Sequence, residues 1–168
     1  LLGQWTYDVL RTLDVLRGES GTGDGPLPIV IGEGPAGLVA LSVGALAGEQ
    51  VSGVAAVNTL ASYVTAVPYQ GQRLGTLAPG ILRDVGDVGH LAALALPTRV
   101  VIAGGVNGAG IVLTGESLRE AYAPARQRAT THAMPSTFTL LESADPAAIA
   151  VLDSILEGVV NRGTGAGT

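Results

Sequence analysis

The stretch PIVIGEGPAGLVAL, residues 28–41, decides how the rest of the chain is read. A short β-branched run feeds three glycines, Gly32, Gly34 and Gly37, and an Ala, Leu and Val segment follows them. That order is strand, sharp turn, helix. Such a turn has two chemical uses. Glycines let backbone amides approach a phosphate at a helix N-terminus, where the dipole is positive. Alternatively, a strained turn lifts one side chain above the end of a sheet. The first use depends on what lies about 20 residues onward; the second depends on what stands at position 34.

Outward from the turn, the chain alternates strands and helices. Upstream, residues 4–17 place Trp5, Val9, Leu10, Leu13 and Leu16 at helical spacing, with Asp8, Arg11, Thr12 and Asp14 on the other face. The glycine-rich GESGTGDGP, residues 18–26, is expected to end this amphipathic helix in a flexible surface loop. Downstream, residues 38–47 read as a helix with small residues where it approaches a sheet, and VSGVAAVN, residues 51–58, as a second buried strand. Strand, helix and strand within about 30 residues imply parallel pairing with a right-handed crossover.

Residues 59–89 are too long for a plain turn and are expected to hold short helical pieces over the sheet edge or the site. A helix at 87–96, a strand at 98–105, a polar-faced helix at 115–128 and a strand at 136–143 follow. The last helix opens at ADPAAIAV, with Asp145 as N-cap and Pro146 at the first helical position. Four strands alternating with helices predict an α/β fold: a mostly parallel sheet with helices on both faces. One domain over residues 1–160 and a flexible tail over 161–168 are expected, and 168 residues suffice for one proper core.

Composition narrows the function. Hydrophobic residues make up 47% of the chain and charged residues 14%, which fits a globular domain whose elements are buried on at least one face. All nine basic residues are arginines, set against 14 acidic ones for a net charge of -5, and they form no cluster, so nucleic acid is not an expected partner. The chain has no cysteine, and its two histidines, His90 and His132, stand in no ligand-spaced pattern, so no metal site is expected. Apolar runs are broken before membrane-spanning length, and no membrane association is expected. The chain opens on Leu1, which reads as an interior start within a longer polypeptide.

Gly32, Gly34 and Gly37 match G-x-G-x-x-G, and GEGPAG is similar to the opening fingerprint of flavin-dependent oxidoreductases. A dinucleotide site also needs an acid near the end of the second strand for the ribose hydroxyls. Residues 53–57 are Gly, Val, Ala, Ala and Val, with Asn58 beyond, and Glu33 would bring a negative side chain to a negative pyrophosphate. A flavin or dinucleotide cofactor therefore belongs only to an alternative reading of this turn.

Helix, strand, glycine turn, helix and three further strands resemble the second half of the α/β-hydrolase fold. TYDVLRTLDVLRG, IVIGEGPAGLVALSVGALAGEQVSGVAAVN, SYVTAVPY and LAPGILRDVGDVGHLAALALPTRVVIAGG resemble, in that order, the corresponding parts of acetyl xylan esterase-like and dienelactone hydrolase-like proteins. The resemblance implies a nucleophile elbow G-x-S-x-G, which puts Gly34 at the nucleophile and Ala36 at the last glycine. It also puts Asn107 at the acid, and Ser143, Ala144 and Asp145 where the histidine belongs.

All three triad positions depart from the pattern: no hydroxyl attacks from Gly34, an amide at Asn107 cannot charge-stabilise an imidazolium, and Asp145 is no base of the required kind. Ser42, in the elbow helix, and Ser62, after the second strand, have no histidine and acid in foreseeable reach. Asp84 and Asp87 are expected to cap the helix that starts at Val88, and His132 to lie on the surface.

The expectation is a non-catalytic, α/β-hydrolase-like module with a structural or interaction role and no cofactor. A carboxylesterase whose nucleophile lies outside this segment is the alternative. The strand at residues 27–31 is expected on an exposed edge, covered by a missing N-terminal half, by another protein chain or by self-association into a homo-oligomer.

Overall fold

The computed structural model describes residues 1–19 and 27–163. Four parallel strands, β1 (Ile29–Glu33), β2 (Gly53–Val57), β3 (Arg99–Ala103) and β4 (Phe138–Leu141), pair in chain order. Ile31, Ala55, Val101 and Thr139 share one register across all four. The fold class is α/β, as expected from the alternation of apolar runs.

Helix α1 (Leu2–Glu19) precedes the sheet and α2 (Pro35–Ala47) connects β1 to β2. The next crossover holds a 3₁₀ turn (Gly71–Thr76), α3 (Ile81–Asp84) and α4 (Val88–Leu94), and the last holds α5 (Gly115–Ala121) and α6 (Ala123–Thr131). Sequential parallel strands with right-handed crossovers stack these connections on one face. There Leu38, Leu41 and Val43 of α2, Leu91 of α4 and Leu118, Tyr122 and Ala125 of the last crossover meet Val54, Ala56, Val100 and Ile102. Helix α1 adds Leu2 and Leu13 to the same core.

The opposite face is covered by α7 (Pro146–Gly163), whose Ile149 and Leu152 pack on Ala55, Val57, Val101 and Ala103. This helix runs through Asn161 to Gly163, the first three residues of the expected tail, and residues 164–168 lie outside the described residues. Residues 20–26 of the expected flexible loop lie outside them too.

Small residues let α2 sit close to the sheet. A Cβ on Gly37 would lie 2.7 Å from Thr59 Cβ and 3.2 Å from Ala56 Cβ; on Gly44 it would lie 3.0 Å from Ala95 and 3.1 Å from Val54. Helix α2 begins at Pro35, three residues ahead of its sequence-based start, because proline fits the first helical turn and gives up an amide that has no partner there.

Strand β1 is an edge of the sheet. Pro28 accepts from the Ser52 N–H and Gly34 donates to Val57, so by alternation Ile29, Ile31 and Glu33 turn their N–H and C=O groups outward. Ile31 is 55% exposed.

A candidate site at the carboxyl edge of the sheet

Parallel strands end on one edge, where α/β proteins bind their ligands. The residues that follow the first three strands share one geometry. Gly34, Asn58 and Gly104 have φ of 56°, 47° and 63°, in the left-handed region. Each donates its N–H to the last carbonyl of the neighbouring strand: Gly34 to Val57 at 2.8 Å, Asn58 to Ala103 at 2.9 Å and Gly104 to Leu141 at 2.9 Å. Asn58 is the one side-chain-bearing residue of the three, and asparagine tolerates this region better than most.

Gly34 joins β1 to α2 with φ 56° and ψ −125°. A Cβ there would meet nothing within 4 Å, so the position faces open space. Gly32 is needed for a different reason, because its Cβ would run into the backbone carbonyl of Ala36. Two amides of the turn are committed: Gly34 N–H goes to Val57 and Gly37 N–H turns back to the Gly34 carbonyl at 3.1 Å, while Pro35 has none. Glu33 is exposed beside them.

Asn107 follows β3 and closes its own loop. Its Oδ1 accepts from the N–H groups of Ala109 at 3.0 Å and Ile111 at 3.1 Å. Asp145 follows β4 and caps α7: Oδ1 accepts from the Ala148 N–H at 2.8 Å and Oδ2 from the Ser143 hydroxyl at 2.9 Å. The Ala148 amide, and after it Ser143, holds the Asp145 carboxyl below the usual carboxylate range. Gly34, Asn107 and Asp145 thus share the carboxyl edge, yet no hydrogen bond joins any two of them.

A cavity of about 240 Å³ opens at this edge between Ser62, Thr65 and Val67 on one side and Val106, Asn107 and Leu113 on the other. Ser42 takes no part in it, since its hydroxyl donates back to the Leu38 carbonyl within α2 at 2.7 Å. His132 is exposed and ends α6, as expected.

Ser62 departs from expectation, because the structure brings it to an acid and sets a histidine nearby. Its hydroxyl donates to Asp87 Oδ2. Asp87 Oδ1 accepts from the N–H of Tyr63 at 2.6 Å and of Val88 at 2.8 Å, and the Asp87 N–H donates to His90 Nδ1 at 3.2 Å. The hydroxyl faces the carboxylate and not the imidazole, so no histidine is placed to take its proton. Asp87 and His90 form a capping box at the start of α4. Asp87 therefore caps as expected, whereas Asp84 pairs with Arg83 at 2.7 Å instead. The spacing of Asp87 and His90 was a visible signal for the cap; Ser62 joins it across 25 residues, and nothing local announces that.

No family model, curated protein or solved structure matches the chain. Among the described residues, no group of three or more His, Asp or Glu side chains could hold a metal ion. No described helix is long and apolar enough to cross a membrane.

Proposed function

We propose that the chain is an α/β-hydrolase-like module, similar to acetyl xylan esterase-like and dienelactone hydrolase-like proteins, that works as a structural or interaction module without hydrolysis. The observation that carries this reading is Gly34. It holds a sharp strand-to-helix turn, open above, in a backbone conformation that a side chain would strain. The turn of a nucleophile elbow is kept and the nucleophile is not.

The other two positions support the same reading. An acid that orients a catalytic imidazole must offer it a carboxylate oxygen. Asn107 has only an amide oxygen, and two backbone N–H groups of its own loop already use it. Asp145 spends both oxygens on the start of α7. What remains for function is surface: the outward β1 edge with exposed Ile31, and the loop after β2.

Phosphate binding at the glycine turn is disfavoured by Glu33 and by the amides of Gly34 and Gly37, which already have backbone acceptors. An esterase that uses Ser62 is disfavoured by the direct bond from that hydroxyl to a carboxylate.

The test is p-nitrophenyl acetate turnover by the purified chain, with Gly34→Ser alongside and a fluorophosphonate label on both. Neither protein is expected to turn over above buffer or to take the label. Turnover by the unsubstituted chain that the phosphonate abolishes would overturn the reading, and a yellow chromophore bound after purification would favour a flavin site.

A further inference from the structure

Both histidines of the chain line one cleft. It is a shallow, open groove of about 490 Å³ between α4 and α6, with His90 on one side and Arg128 and His132 on the other. Val85, Leu94 and Pro124 add apolar surface beside them.

Among the residues lining the groove the charged side chain is basic, that of Arg128. The segments VGHLAAL and APARQRATT, which form α4 and α6, contain no Asp or Glu at all. The other charged residue of α6, Arg126, is also basic. The nearest acid on the turn into α4, Asp87, has its carboxylate taken by Ser62, Tyr63 and Val88. Asp84, just before that turn, is paired with Arg83. Among the described residues Arg128 has no carboxylate partner. His90 Nδ1 accepts the Asp87 N–H, which leaves Nε2 as the proton-bearing nitrogen of the neutral ring and hence a donor.

On a chain of net charge -5, a groove lined by an unpaired guanidinium and two imidazoles beside apolar surface suits opposite charge. We propose that this cleft binds a small organic anion, with a carboxylate or phosphate head on Arg128 and the imidazoles and an apolar body on Leu94 and Pro124. The guanidinium fork matches either oxyanion with two parallel bonds. The proposal owes nothing to the hydrolase likeness, because the groove is lined by none of Gly34, Asn107 and Asp145.

The test uses the two histidines as reporters, since their imidazole resonances are the only ones the chain has. Phenyl phosphate, benzoate and inorganic phosphate are titrated at constant ionic strength, with sodium chloride as the reference. Phenyl phosphate or benzoate is expected to shift both imidazoles saturably, the tighter of the two naming the head group, and inorganic phosphate to bind more weakly for want of the apolar body. Arg128→Gln is expected to weaken binding at least tenfold, and Arg126→Gln, outside the cleft lining, to leave it unchanged. Shifts that never saturate, equal binding by Arg128→Gln, or equal loss from both arginine variants would overturn the proposal.

Discussion

The backbone N–H of Tyr63 donates to Asp87 Oδ1 at 2.6 Å, across 24 residues of chain. With the Ser62 hydroxyl and the Val88 N–H on the same carboxylate, Asp87 ties the loop after β2 to the start of α4. Removing it takes away an N-cap and orphans an amide beside a buried ring. Asp87→Ala should therefore cost about 2–4 kcal/mol, whereas Ser62→Ala, which removes one donor and keeps the cap, should cost about 1 kcal/mol. Urea unfolding of both variants checks this, and equal costs would mean that Asp87 anchors nothing beyond its helix.

The glycines of the first turn separate backbone strain from collision. Gly34→Ala puts a methyl into open space, so its cost is conformational, about 1–3 kcal/mol for a residue held in this region. Gly32→Ala drives a Cβ into the Ala36 carbonyl, a backbone group that cannot swing aside, and should cost more than about 3 kcal/mol. Thermal and urea unfolding of the pair should rank them in that order. A Gly34→Ala protein as stable as the parent would show that the turn relaxes to an unstrained form.

Element types were legible where local chemistry sets them. The β-branched runs gave parallel strands, and Asp145 before Pro146 marked the start of α7 correctly. The proline rule that placed that start also applied at Pro35, where the Ala, Leu and Val run drew attention past it. The helix expected over residues 115–128 is instead α5 and α6, broken at Tyr122, where the chain turns to bury a ring between sheet and helices. Break and burial alike depend on distant neighbours. The same holds for the meeting of Ser62 with Asp87 and for the convergence of His90 and His132, both products of how helices pack.

Tyr122 is fully buried, and its hydroxyl has no hydrogen-bond partner among the described residues. An unpaired buried hydroxyl carries its desolvation penalty without return, so Tyr122→Phe should stabilise the protein by about 1 kcal/mol. Burial, and then the charge of Asp87, raises the phenols of Tyr63 and Tyr122 well above their ordinary value of 10.0. The unfolded chain therefore ionises first, and stability is expected to fall as pH rises past 10. The Tyr122→Phe variant should lose stability less steeply over that range; unfolding midpoints below and above pH 10 decide it.

Asp145 sets a dependence at the other end of the scale. Its carboxyl is held below the ordinary 3.8 by the Ala148 amide and Ser143, so the stabilisation it gives is present above that value and lost as pH falls through the lower folded value. Asp145→Asn keeps a good capping oxygen but does not titrate. The advantage of the native residue over asparagine should therefore shrink steadily as the solution is acidified from about pH 5. An advantage that stays constant to low pH would mean that the charge of Asp145 does not matter to α7.

The edge at β1 carries the interaction half of the proposed function. Ile29, Ile31 and Glu33 turn their backbone groups outward, and antiparallel pairing of two copies centred on Ile31 would set Ile29 opposite Glu33, with no like charges facing. Such pairing would join two four-stranded sheets into one and cover the exposed Ile31 side chains. Ile31→Lys should block it, because a charged side chain on an edge strand is a known bar to strand addition. Since Ile31 is 55% exposed, the substitution should shift monomer stability by no more than about 0.5 kcal/mol. Light scattering over a concentration series is expected to show association by the parent chain and a monomer for Ile31→Lys, at matched unfolding midpoints. A parent chain that stays monomeric throughout would exclude self-pairing at β1 and leave the edge to a different polypeptide segment.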